Sequence, residues 1–463
     1  MTMQITMTQT RMGESGSLLV SGSTYTVSDA FGAAMVGARY AIDTNGALTP
    51  APSALSVSEV AAARALVSGA GKFQRGSIRR FDALYGWGGA ASGGVSFNKS
   101  TGMSSTQWTM TVKMETEAGF HGVRLLWRNV AQNALEKCSS VVGVTETNDN
   151  STSALMASPT IGGASYQALA VANTVTGWRA STYEGASTVA VPASTTGQTY
   201  ALSDETAITN IARTDGGTRP LLLYRCHHNG AADGNWAVHT VGATTRTPSA
   251  ALRNRTLAIS NAAGTDGVTT LTATHSLSTS AMECYPIVRH AVPVLSVWAV
   301  GDSITQNNTL VADGVSAWVW RACLDASTPT APVVFANFGA SGNVASTYLA
   351  NARAALAAGA PAPSVLVISP CSVNDIAASP YARTVEAMRA TAHQALQLAR
   401  DYDIPAVVWW PVLPANTLTG PGDLLRTALN ADMQALAAQC GVTWVTFAGL
   451  GDGAAPERWV AAY

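Results

Sequence analysis

The chain has 463 residues, about three times the ~150 residues of a typical domain, so we expect more than one domain. Charged residues make up only 12% of it, about half the ~25% of ordinary soluble domains, and 27 basic residues nearly balance 28 acidic ones. This balance argues against nucleic-acid and anionic-membrane binding, and it favours a neutral polar partner such as a glycan.

Residues 1–75 show short alternating runs, followed by a predicted helix that opens with the capping box Ser56-x-x-Glu59. We interpret them as a small N-terminal module that could serve for attachment. The start of the chain lacks the basic-then-apolar pattern of a secretory signal, and no run of ~18 apolar residues occurs. We therefore expect no membrane insertion and a virion or extracellular location after lysis, with the cytoplasm as the alternative.

Residues 76–290 consist of short β-type runs separated by Gly, Asn, Asp and Thr clusters, among them WTMTVKM, HGVRLLW and RPLLLYRC. This spacing predicts an all-β region of the sandwich or jelly-roll type, which could bind carbohydrate. In the Gly-rich run YGWGGAASGG, Tyr85 and Trp87 either present aromatic rings to a sugar or pack inside a loop.

A metal site and a disulfide framework are both disfavoured. Cys226, His227 and His228 could form a zinc site with His239, but adjacent residues on a strand point to opposite faces. The six cysteines never fall in a C-x-x-C pair, which is typical of scattered buried thiols. We expect no metal and no cofactor.

The last third alternates apolar strand-like runs with helical ones. We predict strands at residues 294–300, 333–337, 365–369, 406–410 and 443–447, and helices at 314–326, 345–358, 381–401 and 423–440. Five such alternations predict a parallel five-stranded sheet with helices on both faces. Ligand sites in these sheets lie at the carboxyl ends of the strands.

Three of the predicted strand ends carry polar sequence. Ser303 follows the first strand, where it could act as a nucleophile at the start of a helix. Gly342 follows the second strand in a tight turn that lets a backbone N–H approach a ligand, and Asn374 follows the third with a side-chain amide. With the N–H of Ser303, these two groups would form an oxyanion hole for acyl transfer.

The three segments Gly301-Asp302-Ser303-Ile304, Ser341-Gly342-Asn343 and Val373-Asn374-Asp375 resemble the first three sequence blocks of the SGNH (GDSL-type) hydrolases. The resemblance covers residues 291–463. It implies a three-layer flavodoxin-like α/β fold, with Ser303 as the nucleophile and Gly342 and Asn374 as oxyanion donors. The chain departs from the family at Ser372, where glycine is usual.

The family's fourth block, Asp-x-x-His, supplies the base, but no histidine follows His393. Asp452 would be the acid of this block, with Ala455 at the histidine position. Alternatively the chain stops before the block, which we favour because a missing last helix would expose apolar surface at ~25 cal/mol per Å². Substitution by His393, in mid-helix, is the third alternative.

This domain order resembles carbohydrate esterases with an accessory β-sandwich, and phage tail spikes or fibres that deacetylate a surface polysaccharide. We expect a serine esterase that removes O-acetyl groups from such a glycan, possessing an N-terminal module for virion attachment and forming a homotrimer. The rival hypothesis is a glycan-binding or virion-structural protein whose hydrolase fold has lost catalysis.

Overall fold

The computed structural model divides the chain into two compact units, Met1–Gly71 and Lys72–Tyr463. It describes residues 2–7, 11–12, 18–19, 24–28, 41–43, 78–86, 107–129, 134–146, 176–193, 198–229, 238–240, 256–260, 276–277, 280–282, 284–306, 318–339, 342–377, 384–415, 418 and 420–446.

The described part of the first unit consists of short antiparallel strands. A three-stranded sheet has β1 (Thr2–Met7) between β4 (Thr24–Ser28) and β5 (Ala41–Asp43), and β2 (Arg11–Met12) pairs with β3 (Leu18–Leu19). The alternation of Met3, Ile5 and Met7 with polar residues in β1 is the two-residue period of a strand. The helix predicted after Ser56 lies outside the described residues.

The second unit begins with two antiparallel layers. Their strands are β6 (Arg80–Leu84), β7 (Gln107–Glu115), β8 (Phe120–Asn129), β9 (Leu135–Thr145), β10 (Thr176–Ala180), β11 (Val189–Val191), β12 (Thr199–Leu202), β13 (Thr206–Ala207), β14 (Leu221–Asn229), β16 (Thr256–Ser260) and β17 (Ser276–Leu277). One layer is a seven-stranded sheet in the order β10-β9-β14-β7-β16-β17, with β11 paired to β9. The strands β6, β8, β12 and β13 belong to the other layer. A separate pair joins β15 (Val238–Thr240) to β18 (Ser280–Met282).

The two layers pack against each other through buried aromatic and polar side chains. Trp127 on β8 meets the ring of His228 on β14 edge to face, at 6.2 Å between ring centroids. The indole of Trp127 donates to the hydroxyl of Tyr183 at 2.7 Å, and this hydroxyl lies 2.8 Å from that of Ser140 on β9. Because the indole of Trp127 and the hydroxyls of Tyr183 and Ser140 bond one another, the layers can bury these three groups without a large desolvation cost.

Strand β19 runs without interruption from Cys284 to Gly301 and belongs to both halves of the second unit. Its first half pairs antiparallel with β8 and β6, and its second half pairs parallel with strands of the α/β part. The sequence analysis placed a domain boundary between residues 290 and 291. The structure differs there, because the boundary falls inside one strand of a continuous nine-stranded mixed sheet.

The C-terminal part of that sheet is parallel. It contains the second half of β19, then β20 (Val333–Gly339), β21 (Val365–Ile368), β22 (Ala406–Trp409) and β23 (Thr443–Trp444). Pairing gives the spatial order β20-β19-β21-β22-β23, so the second strand of the series lies outside the first. This is the 2-1-3-4-5 order of flavodoxin-like sheets.

Six helices are described around this sheet: α1 (Ser303–Gln306), α2 (Trp318–Ala326), α3 (Ala345–Ala357), α4 (Val373–Ala377), α5 (Val385–Asp401) and α6 (Gly420–Cys440). The four predicted helices overlap α2, α3, α5 and α6, and the five predicted strands overlap β19 to β23. Among the helices that the structure describes, none is both long enough and apolar enough to cross a membrane.

The core of the parallel part lies between the sheet and its helices. On one face, Val297 and Phe335 of the sheet pack with Val319 and Cys323 of α2. Alternate residues of the strands point to the other face, which buries Trp298 on β19. Near the end of β22, Trp409 and Trp410 are both buried, so neither lines an open cleft.

Candidate active site

Three polar segments meet at the carboxyl edge of the parallel sheet. β19 lies between β20 and β21, so the residues that follow these three strands come together. They are the segments that contain Ser303, Gly342 and Asn374. Hydrogen bonds between the segments, described below, join them directly.

The first segment turns sharply from β19 into α1. A Cβ at Gly301 would lie 2.0 Å from Oγ1 of Thr305, so this position has room only for glycine. The carboxylate of Asp302 accepts a hydrogen bond from the N–H of Ile304 at 3.0 Å, which closes the turn around Ser303. Ser303 is the first residue of α1 and is half-buried, so solvent and a ligand can reach it.

The second segment contains a glycine whose backbone conformation is left-handed. Gly342 has φ +77°, which side-chain-bearing residues rarely adopt, and no atom lies within 4 Å of the position that its Cβ would take. Gly342 is exposed, whereas the next residue, Asn343, is buried. The backbone at Gly342 is therefore open to a ligand. Ser341 lies outside the described residues.

The third segment is bound to the second. The side-chain amide of Asn374 donates to the carbonyl oxygen of Asn343 at 3.0 Å. An amide nitrogen carries two hydrogens, so one hydrogen orients the side chain and the other can serve a substrate oxygen. Asn374 is half-buried at the start of α4.

Ser372 connects the third segment to the first. Its side chain is 1% exposed, and its hydroxyl donates to Oδ2 of Asp302 at 2.6 Å. Burial raises the pKa of Asp302, while the hydrogen bonds from Ser372 and from the N–H of Ile304 act in the opposite direction. In the sequence Ser372 is only a departure from the family pattern, and its contacts follow from the tertiary structure alone.

Asp375 holds the third segment against helix α3. Its fully buried carboxylate accepts hydrogen bonds from the N–H of Ala345 at 3.0 Å and from the N–H of Ser372 at 2.9 Å. It thereby caps the first turn of α3 from a different segment. The sequence signal was present, since an aspartate directly follows Asn374, but its partner could not be read from the sequence.

The structure thus joins the segments that contain Ser303, Gly342 and Asn374, the residues that the sequence predicts as nucleophile and oxyanion donors, through hydrogen bonds between their neighbours. Asp452 and Ala455 lie outside the described residues. His393 is exposed in the middle of α5, about 12 Å along the helix axis from its first residue. Within the described ranges, the other histidines lie on β8, β14, β15 and the first half of β19, away from this edge.

Two further hypotheses from the sequence concern Tyr85 and a metal site. Tyr85 is buried, and its hydroxyl lies 3.2 Å from Nε2 of His290 and accepts the N–H of Glu117 at 2.8 Å. The hypothesis that Tyr85 presents its ring to a sugar is therefore wrong; Trp87 lies outside the described residues. In the part of the chain that the structure describes, no group of three or more His, Cys, Asp or Glu residues could hold a metal ion.

No family model matches the chain, and no curated protein matches it. Among solved structures, it is similar to a member of the lipolytic protein G-D-S-L family from Veillonella parvula DSM 2008, at 20% identity and a TM-score of 0.28 over 35% of this chain and 88% of that one. The SGNH-hydrolase family esterase AlinE4 matches at 14% identity and a TM-score of 0.27, over 32% and 74%. A lipase/acylhydrolase from Enterococcus faecalis matches at 18% identity and a TM-score of 0.25, over 32% of this chain and 74% of that one.

Proposed function

We propose that residues 291–463 are an SGNH (GDSL-type) serine esterase domain that removes O-acetyl groups from a polysaccharide. One observation carries the proposal: two hydrogen bonds, from Ser372 to Asp302 and from Asn374 to Asn343, join the three strand-end segments around Ser303. A nucleophile beside fixed donors is the arrangement that acyl transfer needs.

In the proposed reaction, Oγ of Ser303 attacks the carbonyl carbon of the acetyl ester. The oxyanion that forms accepts hydrogen bonds from the N–H groups of Ser303 and Gly342 and from the amide of Asn374. The ester bond then breaks, the sugar hydroxyl leaves with a proton, and water hydrolyses the acetyl-serine to acetate. A base must accept the serine proton; in the family's fourth block a histidine does this, and at the corresponding position this sequence has Ala455, three residues after Asp452.

The polysaccharide assignment rests on composition and domain order. With 12% charged residues and a formal net charge of −1, the chain suits a neutral polar polymer better than a polyanion. Two antiparallel layers precede the site in the same compact unit, where they could bind carbohydrate. We extend the proposal to a trimeric phage tail spike or fibre that attaches through residues 1–75 and acts on a bacterial surface glycan.

A second candidate is a glycan-binding or virion-structural protein without catalysis. The positions of the histidines favour it, because within the described ranges no histidine lies on the segments that surround Ser303. This candidate predicts binding of the polysaccharide without release of acetate.

Turnover of p-nitrophenyl acetate separates the two candidates. The esterase predicts that the full chain hydrolyses it faster than the Ser303→Ala variant does. Equal rates would contradict the esterase for this chain. An Ala455→His variant then tests the missing base: at least a tenfold gain of turnover, abolished again by Ser303→Ala, would identify position 455 as the base position. Binding of an O-acetylated polysaccharide to the Ser303→Ala variant tests the glycan assignment independently.

A further inference from the structure

Ser372 contacts all three segments of the candidate site. Its Oγ lies 2.6 Å from Oδ2 of Asp302, 3.1 Å from the carbonyl oxygen of Asn343 and 3.1 Å from the backbone nitrogen of Asn374. The glycine that is usual at this position in SGNH hydrolases has no side chain and could make none of these contacts.

The hydroxyl can satisfy these contacts in a defined way. It has one hydrogen to donate and two lone pairs to accept. The N–H of Asn374 takes a lone pair, and the hydrogen goes to the shorter, charge-assisted contact with Asp302 when that carboxylate is ionised. When Asp302 is protonated, the same hydrogen can turn to the carbonyl oxygen of Asn343.

We propose that Ser372 is a positioning residue that couples the turn of the nucleophile Ser303 to the oxyanion donor Asn374. This inference rests on the proposed esterase function. Ser372 does not touch the reacting atoms; it fixes Asp302, which closes the turn around Ser303, and it fixes the backbone that carries Asn374. Loss of the hydroxyl leaves a buried carboxylate oxygen without its donor and a backbone N–H without its acceptor.

The electrostatic surroundings give this coupling a pH dependence. Burial raises the pKa of Asp302, the nearby carboxylate of Asp375 acts in the same direction, and the hydrogen bonds from Ser372 and from the N–H of Ile304 oppose it. Removing the hydroxyl of Ser372 removes one of the interactions that favour the ionised form. The pKa of Asp302 should therefore rise further in a Ser372→Ala variant.

The kinetic test compares two serine-to-alanine variants from the same loop. Ser369 is also buried, but its hydroxyl bonds only carbonyl oxygens, those of Cys371 at 2.6 Å and Trp410 at 3.4 Å. We expect Ser372→Ala to lower kcat for p-nitrophenyl acetate roughly 10- to 100-fold, while KM changes less than about threefold. We also expect the acid limb of its kcat/KM profile to move to higher pH. Ser369→Ala should change kcat less than about twofold and leave the pH profile unchanged. Equal losses of kcat with equal pH profiles in both variants would overturn the proposal.

A second measurement does not depend on turnover. In the full chain labelled with ¹⁵N-asparagine, the backbone amide of Asn374 should titrate together with Asp302, at a midpoint above the ordinary value of 3.8. An Asp302→Asn variant should abolish this titration, and Ser372→Ala should shift the Asn374 resonance and disconnect it from Asp302. An Asn374 amide that is unaffected by Ser372→Ala would overturn the positioning role. A wild-type chain no faster than Ser303→Ala would instead contradict the proposed function, and the amide titration would still decide the positioning role.

Discussion

Buried polar groups occur on β19 around His290 and just past its end around Ser303. The two regions differ in how many hydrogen-bonding groups remain available to a ligand. Around His290, Nδ1 faces the carbonyl oxygen of Ala118 at 3.3 Å, so it carries the hydrogen, and Nε2 accepts from the hydroxyl of Tyr85. Around Ser303, thirteen residues after His290 and two past the end of β19, a half-buried serine, an open glycine and the second amide hydrogen of Asn374 remain available. The two regions therefore share polar burial, and only the region around Ser303 combines it with accessible backbone and hydrogen-bonding groups that a ligand could use.

The comparison predicts that the two regions respond differently to mutation. The largest effect is expected for Asn374→Ala, which removes one of the two oxyanion donors that the proposed function assigns besides Ser303. We expect kcat to fall about 10²- to 10³-fold, while the free energy of unfolding changes by less than about 1 kcal/mol because Asn374 is half-buried. Steady-state kinetics and urea unfolding check the two parts. A large loss of stability with an unchanged kcat would place Asn374 with the structural region instead.

At His290 the expected effect is on stability and depends on pH. Burial lowers the pKa of His290 to about 4 in the folded chain from an ordinary 6.5. The unfolded chain therefore binds a proton below pH 6.5 that the folded chain binds only below about pH 4, so stability falls as the pH falls through this window, by roughly 3 kcal/mol.

Urea unfolding of the wild type and of a His290→Gln variant between pH 7.5 and pH 4 measures this contribution as the difference between two curves. The variant lacks the titration, so its stability should fall less over the window. Parallel curves would contradict the depressed pKa. At neutral pH, the kcat of the variant relative to wild type should change far less than that of Asn374→Ala.

A smaller effect is expected where the β layers meet the α/β part. Ser327, after α2, donates to the buried carboxylate of Glu117 at 2.6 Å and accepts the N–H of Val333 at 3.0 Å. Ser327→Ala leaves both partners short of one hydrogen bond, and we expect a loss of about 1–3 kcal/mol in the free energy of unfolding. Because this contact lies before the first residue of β20, at the amino edge of the strand, kcat should not change. A fall in kcat would show that this contact also positions the site.

The smallest effect is expected on the surface of α2. Arg321 and Asp325 form an exposed pair with 3.2 Å between Nε and Oδ2, one helical turn apart. Replacing both by alanine should change the free energy of unfolding by less than about 0.5 kcal/mol, because solvent and salt screen the pair. Thermal unfolding at low and high salt checks this, and the same variants provide the baseline for Ser327→Ala.

Local pattern was sufficient to predict the elements of the C-terminal third. Apolar runs of strand length alternate with helical periodicity there, and the structure has β19 to β23 and the four longer helices at those places. The segments with Ser303, Gly342 and Asn374 were also predicted, because a parallel sheet gathers the carboxyl ends of neighbouring strands. For Tyr85 the sequence left two alternatives open, since a tyrosine in a Gly-rich run has the same local sequence whether its ring is exposed or buried against His290, and the structure shows the buried one.

The sequence by itself determined the alternation of strands and helices, the polar strand ends and the low charge, since these follow from the order and type of neighbouring residues. Tertiary structure alone decided that β19 runs through residue 290 and joins the antiparallel and parallel parts of one sheet, and that Ser372, Asp302 and Asn374 form one network. The reason is the range of the interactions: strand pairing and buried hydrogen bonds join residues that are 70 positions apart, as Asp302 and Ser372 are, and no local pattern records such a partner.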